Sequence, residues 1–175
     1  MSNNHFSEIK TERLLLRHLK QTDWEMISYL RTDKEVNKFV KRPTAETKGK
    51  ALEFIAKISD GINKQNLYYW SITHNLTMVG TICLWNFSED KKTAEVGYDL
   101  SSKFQGKGIM SEALKSVLNF GFHNLNLSII EAYTHKKNES SKKLLKKNNF
   151  KLIKGKSDEY NKDNIVYKID RKLNI

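Results

Sequence analysis

The chain has 175 residues, with 31 Lys plus Arg against 20 Asp plus Glu, for a net charge of +11. Hydrophobic residues make up 38% and charged ones 29%, with three Trp, seven Tyr and eight Phe, which excludes disordered, collagen-like and linker chains. One Cys leaves no disulfide framework and no zinc cluster, and no apolar run reaches the roughly 20 residues of a membrane-spanning helix.

Met1–Lys10 is polar and lacks the apolar core of an export signal, so a reducing, cytoplasmic setting is expected. Arg13–Arg17 is a short apolar run between cations and predicts a first strand. Thr22-Asp23-Trp24-Glu25 has capping-box spacing and predicts a helix carrying Ile27 and Leu30. Pro43 ends any continuation, and the apolar face Leu52, Phe54, Ile55, Ile58 and Ile62 predicts a second helix from about Thr47 to Gly61. Leu67–Thr73, Thr77–Asn86 and Thr93–Leu100 then read as an antiparallel meander. Beyond Phe104–Gly108 a helix presents Met110, Ala113, Leu114, Val117 and Leu118 on one face. Strand Ser128–His135, helix Glu139–Lys147 and strands Phe150–Ile153 and Ile165–Asp170 complete the order. The pattern is a mixed sheet with helices on its faces, α+β or α/β in class, with a right-handed β-α-β crossover in the middle. No repeat or linker-like shift interrupts it, so one domain spanning 1–175 is expected.

Charge is unevenly placed. Lys136–Lys156 holds nine Lys and one acid, Glu139, a local +8. Such a patch attracts polyanions, yet a solvated helix face is the plainer reading. No aromatic residue interrupts Lys136–Asn149, so the stacking platform of a single-strand binder is missing there and no specific nucleic-acid binding is expected.

Gln105-Gly106-Lys107-Gly108-Ile109-Met110-Ser111 lies between a strand and a helix. Two glycines permit a tight turn and close ligand approach, and the unpaired N–H groups of the helix start suit a phosphate or pyrophosphate. Neither the Walker pattern nor the dinucleotide G-x-G-x-x-G fits, because Ser111 stands where the third Gly belongs. An ordinary glycine turn remains the alternative.

With Ala94–Leu100 before it and Glu112-Ala113-Leu114 after it, this segment resembles the acyl-CoA signature Q/R-x-x-G-x-G/A of the GNAT superfamily of N-acetyltransferases. Asn138-Glu139-Ser140-Ser141, followed by Leu144, Leu145, Lys147 and Phe150, is similar to the ending of its ribosomal-protein (Rim-type) branch, as are Asp163–Tyr167 and the opening Thr11–Arg17. The resemblance implies the acyl-CoA N-acyltransferase fold: a mostly antiparallel sheet splayed between its fourth and fifth strands, here Thr93–Leu100 and Ser128–His135. It departs at Met110, where Gly or Ala is usual and a bulky side chain has to turn into the core, and at Asn149, which replaces a Gly but tolerates the left-handed conformation a helix end needs.

The resemblance further implies transfer of an acetyl group from acetyl-CoA to an amine. Gly97, Tyr98, Asp99 and Leu100 would bind pantetheine and the acetyl oxygen through their backbone. The backbone of Gln105, Gly106, Lys107, Gly108, Ile109 and Met110, with Ser111, would bind the pyrophosphate. Asn138 would cap its helix or bond the pantetheine arm. Many members use a Tyr seven residues beyond that Asn as the acid; Leu145 occupies that place, and Ser141 matches the Rim-type serine near the cofactor sulfur. Strand alternation puts Glu95 on the polar face, as a base or as an ordinary solvent-facing residue, with Asp163 and His135 as weaker bases. Cys83 reads as a buried hydrophobe.

The acceptor pocket is expected around Trp24, Phe39, Trp85 and Tyr160. A protein N-terminal α-amine, such as a ribosomal protein's, is the leading acceptor; a small-molecule amine is the alternative, with polyamines disfavoured by the net charge. A non-catalytic acyl-CoA sensor or RNA-associated domain is the reading of another class. No sequence feature points to an oligomeric state.

Overall fold

A computed structural model describes residues 7–171; residues 1–6, the start of the segment expected to lack an export signal, lie outside them. Ile9–Lys10 (β1) and Leu14–Arg17 (β2) form a short hairpin whose first strand the sequence did not announce. The helix Trp24–Thr32 (α1) begins after a 3-10 turn, and Asp23, not Thr22, organises that turn. The Asp23 carboxylate accepts the Lys20 N–H at 2.7 Å and both arms of the Arg17 guanidinium at 2.9 Å. The helix Lys48–Asn63 (α2) is capped as its sequence suggests, with Thr47 Oγ1 accepting the Lys50 N–H at 3.2 Å.

Tyr68–His74 (β3), Thr77–Trp85 (β4) and Thr93–Leu100 (β5) form the expected meander, and the first hairpin turns on Asn75 and Leu76, both at positive φ. Ile109–His123 (α3), Ile129–His135 (β6) and Glu139–Lys147 (α4) follow. Asn149 sits past the end of α4 at φ 65°, taking the left-handed role of the glycine it replaces. Lys151–Ser157 (β7) runs beyond its predicted end and pairs irregularly with Asn164–Asp170 (β8).

The eight strands form one sheet in the order β1-β2-β3-β4-β5-β6-β8-β7. All neighbours are antiparallel except β5 and β6, which pair in parallel through Thr93↔Ile129, Ala94↔Ile130 and Glu95↔Glu131 and then separate. From Val96 onward β5 is held only by β4, and from Ala132 onward β6 is held only by β8. This is the expected splay.

Side-chain alternation divides the sheet into two faces. Leu16, Trp70, Ile72, Ile82, Leu84 and Val96 face α3 in the main core, with Leu145 of α4 fully buried in it. The opposite face carries α1 and α2 over a smaller core of Ile27, Leu30, Ala51, Ile55 and Met78. Arg42 closes the layer from that side, bonding Asp99 at 2.7 and 3.1 Å and the Leu30 carbonyl at 2.9 Å. Met110 is buried in the main core, so its bulk does not obstruct the start of α3.

Gly80 sits where β4 presses on the end of β5: an added Cβ would run into the Asp99 carbonyl oxygen and lie 3.1 Å from Leu100 Cα. Gly80→Ala is therefore expected to destabilise the protein by about 1–3 kcal/mol, the usual penalty of overpacking. Chemical denaturation checks this; an unchanged midpoint would show that β5 yields freely at Asp99.

Candidate active site

The splay opens a cavity of about 950 Å³ between β5 and β6. Its lining includes Glu95, Gly97 and Tyr98 from β5, Tyr133 and His135 from β6, and Asn138 and Ser141 at the start of α4. Asn138 caps α4, its Oδ1 accepting the Ser141 N–H at 3.1 Å. Ser141 is 8% exposed, and its hydroxyl lies 2.7 Å from the Tyr98 hydroxyl. Burial pushes Tyr98 up to about 12, so the phenol keeps its proton at neutral pH. A phenol is the better donor of the two groups, and by donating to Ser141 Oγ it leaves the serine's own proton free for another acceptor. The hydroxyl of Tyr98 carries no periodic signature, which is why sequence reading assigned this residue a backbone role alone. Leu145, at the place where the resemblance expects a Tyr, is buried in the core.

The glycine turn follows the end of β5. Gly106 and Gly108 have φ of 73° and 74°, a region costly for residues with a Cβ. The first bond of α3 runs from Glu112 N–H to the Gly108 carbonyl at 3.1 Å, so the N–H groups of Ile109, Met110 and Ser111 precede the helical ladder. That is a cradle for an anion, and it fits a pyrophosphate. The Ser111 side chain turns the other way, into a buried pair with Asn148 at 3.1 and 3.3 Å. Arg13 buttresses the turn, donating to the Lys107 carbonyl at 3.1 Å and to Glu112 at 2.7 Å. Gln105 Nε2 ties the turn back to the Leu100 carbonyl at 3.2 Å.

On the other side of the sheet plane, Glu95 is half-buried and its carboxylate meets Asn86 Nδ2 at a long 3.4 Å. Burial pushes its pKa up to about 7; Asp158 and Glu131 push the same way, while the Asn86 bond and Lys156 oppose them. A carboxyl poised there accepts a proton from an amine more readily than one near 4. Asp163, by contrast, is held below the usual carboxylate range by its hydrogen bond to Lys136, at 2.6 Å. His135 Nδ1 accepts the Lys137 N–H at 3.1 Å while Nε2 faces the Asp163 carboxylate at 3.9 Å, so both ring nitrogens are turned to protein groups. Burial raises the Cys83 thiol to about 12, removing it as a nucleophile.

The expected pocket residues divide. Phe39, Trp85 and Tyr160 line the cavity, the last two 44% and 97% exposed at its rim. Trp24 does not: it packs on the smaller core at the start of α1, with the Lys48 ammonium 5.3 Å from its ring centroid. Its position just before an amphipathic helix face dictates that packing. Asp99 points away from the gap, to Arg42. Among the described residues no helix is long and apolar enough to cross a membrane, and no cluster of His, Cys, Asp and Glu is arranged to hold a metal.

Comparison with known proteins agrees with the fold. The family model described as an acetyltransferase (GNAT) domain matches residues 13–151. The uncharacterized N-acetyltransferase p20 of Bacillus licheniformis is 33% identical over 137 residues, 77% of each chain. Among solved structures, a ribosomal-protein-S5-alanine acetyltransferase from Vibrio fischeri superposes with a TM-score of 0.81 at 23% identity, covering 94% of this chain and 97% of that one. RimL, a ribosomal L7/L12 alpha-N-protein acetyltransferase in complex with coenzyme A, does so with a TM-score of 0.81 at 16% identity, covering 94% and 98%.

Gly108→Val forces a β-branched residue to a φ of 74° and crowds Arg13 Nη2, which lies 3.4 Å from an added Cβ. Acetyl-CoA affinity should fall at least tenfold, about 1.4 kcal/mol; calorimetry giving wild-type affinity for a folded variant would remove the pyrophosphate assignment. Ser141→Ala removes the protein partner of the Tyr98 hydroxyl at the edge of an open cavity, where water can take its place, and should cost about 0.5–1.5 kcal/mol of stability, measurable by denaturation, whereas Ser141→Ala combined with Tyr98→Phe should recover part of that loss.

Proposed function

Because the chain belongs to the GNAT family of acetyltransferases, we propose that its acetyl-CoA-dependent N-acetyl transfer takes place in the gap between β5 and β6, with Glu95 as base and Ser141 as acid. The acceptor in this reading is a protein N-terminal α-amine, as in ribosomal-protein acetylation. One observation carries the reading: a proton acceptor with a pKa of about 7 and a partly buried hydroxyl pair border the same open cavity, at the point where two strands part.

The amine has to lose a proton as its nitrogen bonds to the acetyl carbon, and Glu95 stands on the acceptor side to take it. Backbone groups of β5 beyond Glu95, lacking a strand partner on the β6 side, supply donors for the acetyl oxygen and for pantetheine. Ser141, with the Tyr98 phenol behind it, donates to the departing sulfur. A thiol's pKa of about 8.5 makes that help modest compared with what an alkoxide needs. The N–H groups at the start of α3, Gly106 and Gly108 hold the pyrophosphate.

Two features support a polypeptide acceptor. The cavity is open and exceeds what an amine alone fills, and its rim exposes Val40, Trp85 and Tyr160, which suit the side chains that follow a chain terminus. Fold neighbours that act, by their names, on ribosomal proteins agree with this choice. With one cysteine and its thiol buried, the reading places the enzyme in the reducing cytoplasm, as one N-acetyltransferase domain.

The test is acetyl-CoA with a panel of ribosomal-protein N-terminal peptides and free small amines, read by thiol release and by mass spectrometry for an acetyl group at the α-amine. Peptide turnover is expected; acetylation confined to small amines would contradict the acceptor class. Glu95→Gln should lower kcat by about 10²–10⁴-fold near pH 7, and the deficit should narrow towards pH 9, where the amine arrives without its proton. Ser141→Ala should lower kcat by about tenfold to a hundredfold with acetyl-CoA affinity unchanged. Weaker binding at full turnover would make Ser141 a cofactor-binding residue.

A further inference from the structure

We propose that Glu131 and Lys156 are positioning residues that assign the proton-accepting role to Glu95: two carboxylates stand side by side where the strands part, and a single lysine binds the one that is not the base. The proposal rests on the reading of Glu95 as base.

Glu95↔Glu131 is the last register pair of the parallel strands, and partners in a parallel pair project to the same face about 4.8 Å apart. Their surroundings differ. Glu131, with its side chain 14% exposed, receives Lys156 Nζ on both oxygens at 2.7 Å and the Tyr133 hydroxyl at 3.2 Å. Glu95 has the distant Asn86 amide instead. When adjacent carboxylates have such unequal partners, the proton goes to the less supported one.

Lys156 reaches Glu131 through an irregularity that serves no hydrogen-bond ladder. Between Leu152↔Tyr167 and Ser157↔Ile165, β7 advances five residues while β8 advances two, and Gly155 within that bulge has a φ of 79°. The extra residues throw Lys156 across β8 to Glu131 on β6. The other charged or titratable groups lining the same cavity are Tyr98 from β5, Tyr133 and His135 from β6, Asp158, Glu159 and Tyr160 beyond β7, and Lys41 from the segment before α2. Asp158 is itself engaged by the Asn164 amide at 2.8 Å and the Tyr160 N–H at 2.9 Å, while Lys156 bonds Glu131 and not Glu95. The pKa of Glu95 is raised, with Glu131 among the causes, as this division requires; the Lys156 charge acts on Glu95 in the opposite direction and more weakly.

Carbon-13 NMR titration of side-chain carboxyls in the free enzyme tests the proposal without turnover, the Glu95 resonance being identified by its loss in Glu95→Gln. Lys156→Met should move the proton towards Glu131, raising the Glu131 midpoint, its resonance identified by its loss in Glu131→Gln, by about one pH unit or more, the scale of a lost charge in direct contact, and Glu131→Gln should lower the Glu95 midpoint. Lys156→Arg should restore the wild-type Glu131 midpoint, a rescue that a purely structural role in β7 would not produce. Unchanged midpoints in folded Lys156→Met and Glu131→Gln proteins would overturn the proposal. A Glu95→Gln enzyme with wild-type turnover would instead remove the base reading while leaving these shifts intact, so the two failures are separable.

Discussion

The parallel pairing of β5 with β6 lasts for three residue pairs and stops, although both strands continue, to Leu100 and His135. Past that point the facing edges carry amide and carbonyl groups with no ladder partner, and each such group costs about 1–3 kcal/mol if it is shut away from water. A ligand bearing amides of its own, such as a pantetheine arm, supplies the missing partners. The gap stays open because each strand is secured on its far side: β4 holds β5 down to Leu100 and β8 holds β6 up to His135. Arg42 locks Asp99 from one face, and the Tyr98–Ser141 contact fixes α4 against the other. The polar groups bordering the cavity, Glu95 on one side and Ser141 on the other, owe their placement to this interruption.

The site's electrostatics differ from those of the molecule. A net charge of +11 suggests a uniformly basic surface, whereas the cavity is bordered by Glu95, Asp158 and Glu159 as well as Lys41 and Lys156. At 0.1 M salt the screening length is about 10 Å, so an amine in the cavity responds to these neighbours more than to remote lysines. The Lys136–Lys156 run also loses its appearance as a block. Lys136 pairs with Asp163, Lys142 with Glu139 and Lys156 with Glu131, at 2.6, 2.6 and 2.7 Å. The exposed pairs add little to stability because water screens them; the role proposed for Lys156 is to set which carboxylate stays charged.

Much of the fold was legible because its elements have strong periodicity. Glu139–Lys147 and Thr93–Leu100 fall within their predicted bounds, and the glycine turn before α3 announced its left-handed backbone through composition. What escaped detection depends on partners distant in sequence. The start of α1 carries a capping-box pattern at Thr22, yet Asp23 has Arg17 beside it and takes over the turn. The bulge in β7 became visible only from its register against β8, and with it the reach of Lys156 to a strand two places away. Glu95 was readable as a polar-face residue from alternation; its raised pKa comes from burial, with Asp158 and Glu131 adding to it, which alternation does not report. Trp24 was misplaced because an aromatic at a helix start suits a core as well as a pocket.

The central claim is that the parting of β5 and β6 is where acetyl group and amine meet. A crystal structure with a non-hydrolysable acetyl-CoA analogue tests it most directly. The account predicts pantetheine running along the unpaired edge of β5, the analogue's carbonyl facing the backbone of Gly97 and Tyr98, and the atom replacing sulfur within about 3–3.5 Å of Ser141 Oγ. A ligand bound along another edge of the sheet, with the gap left to solvent, would contradict it.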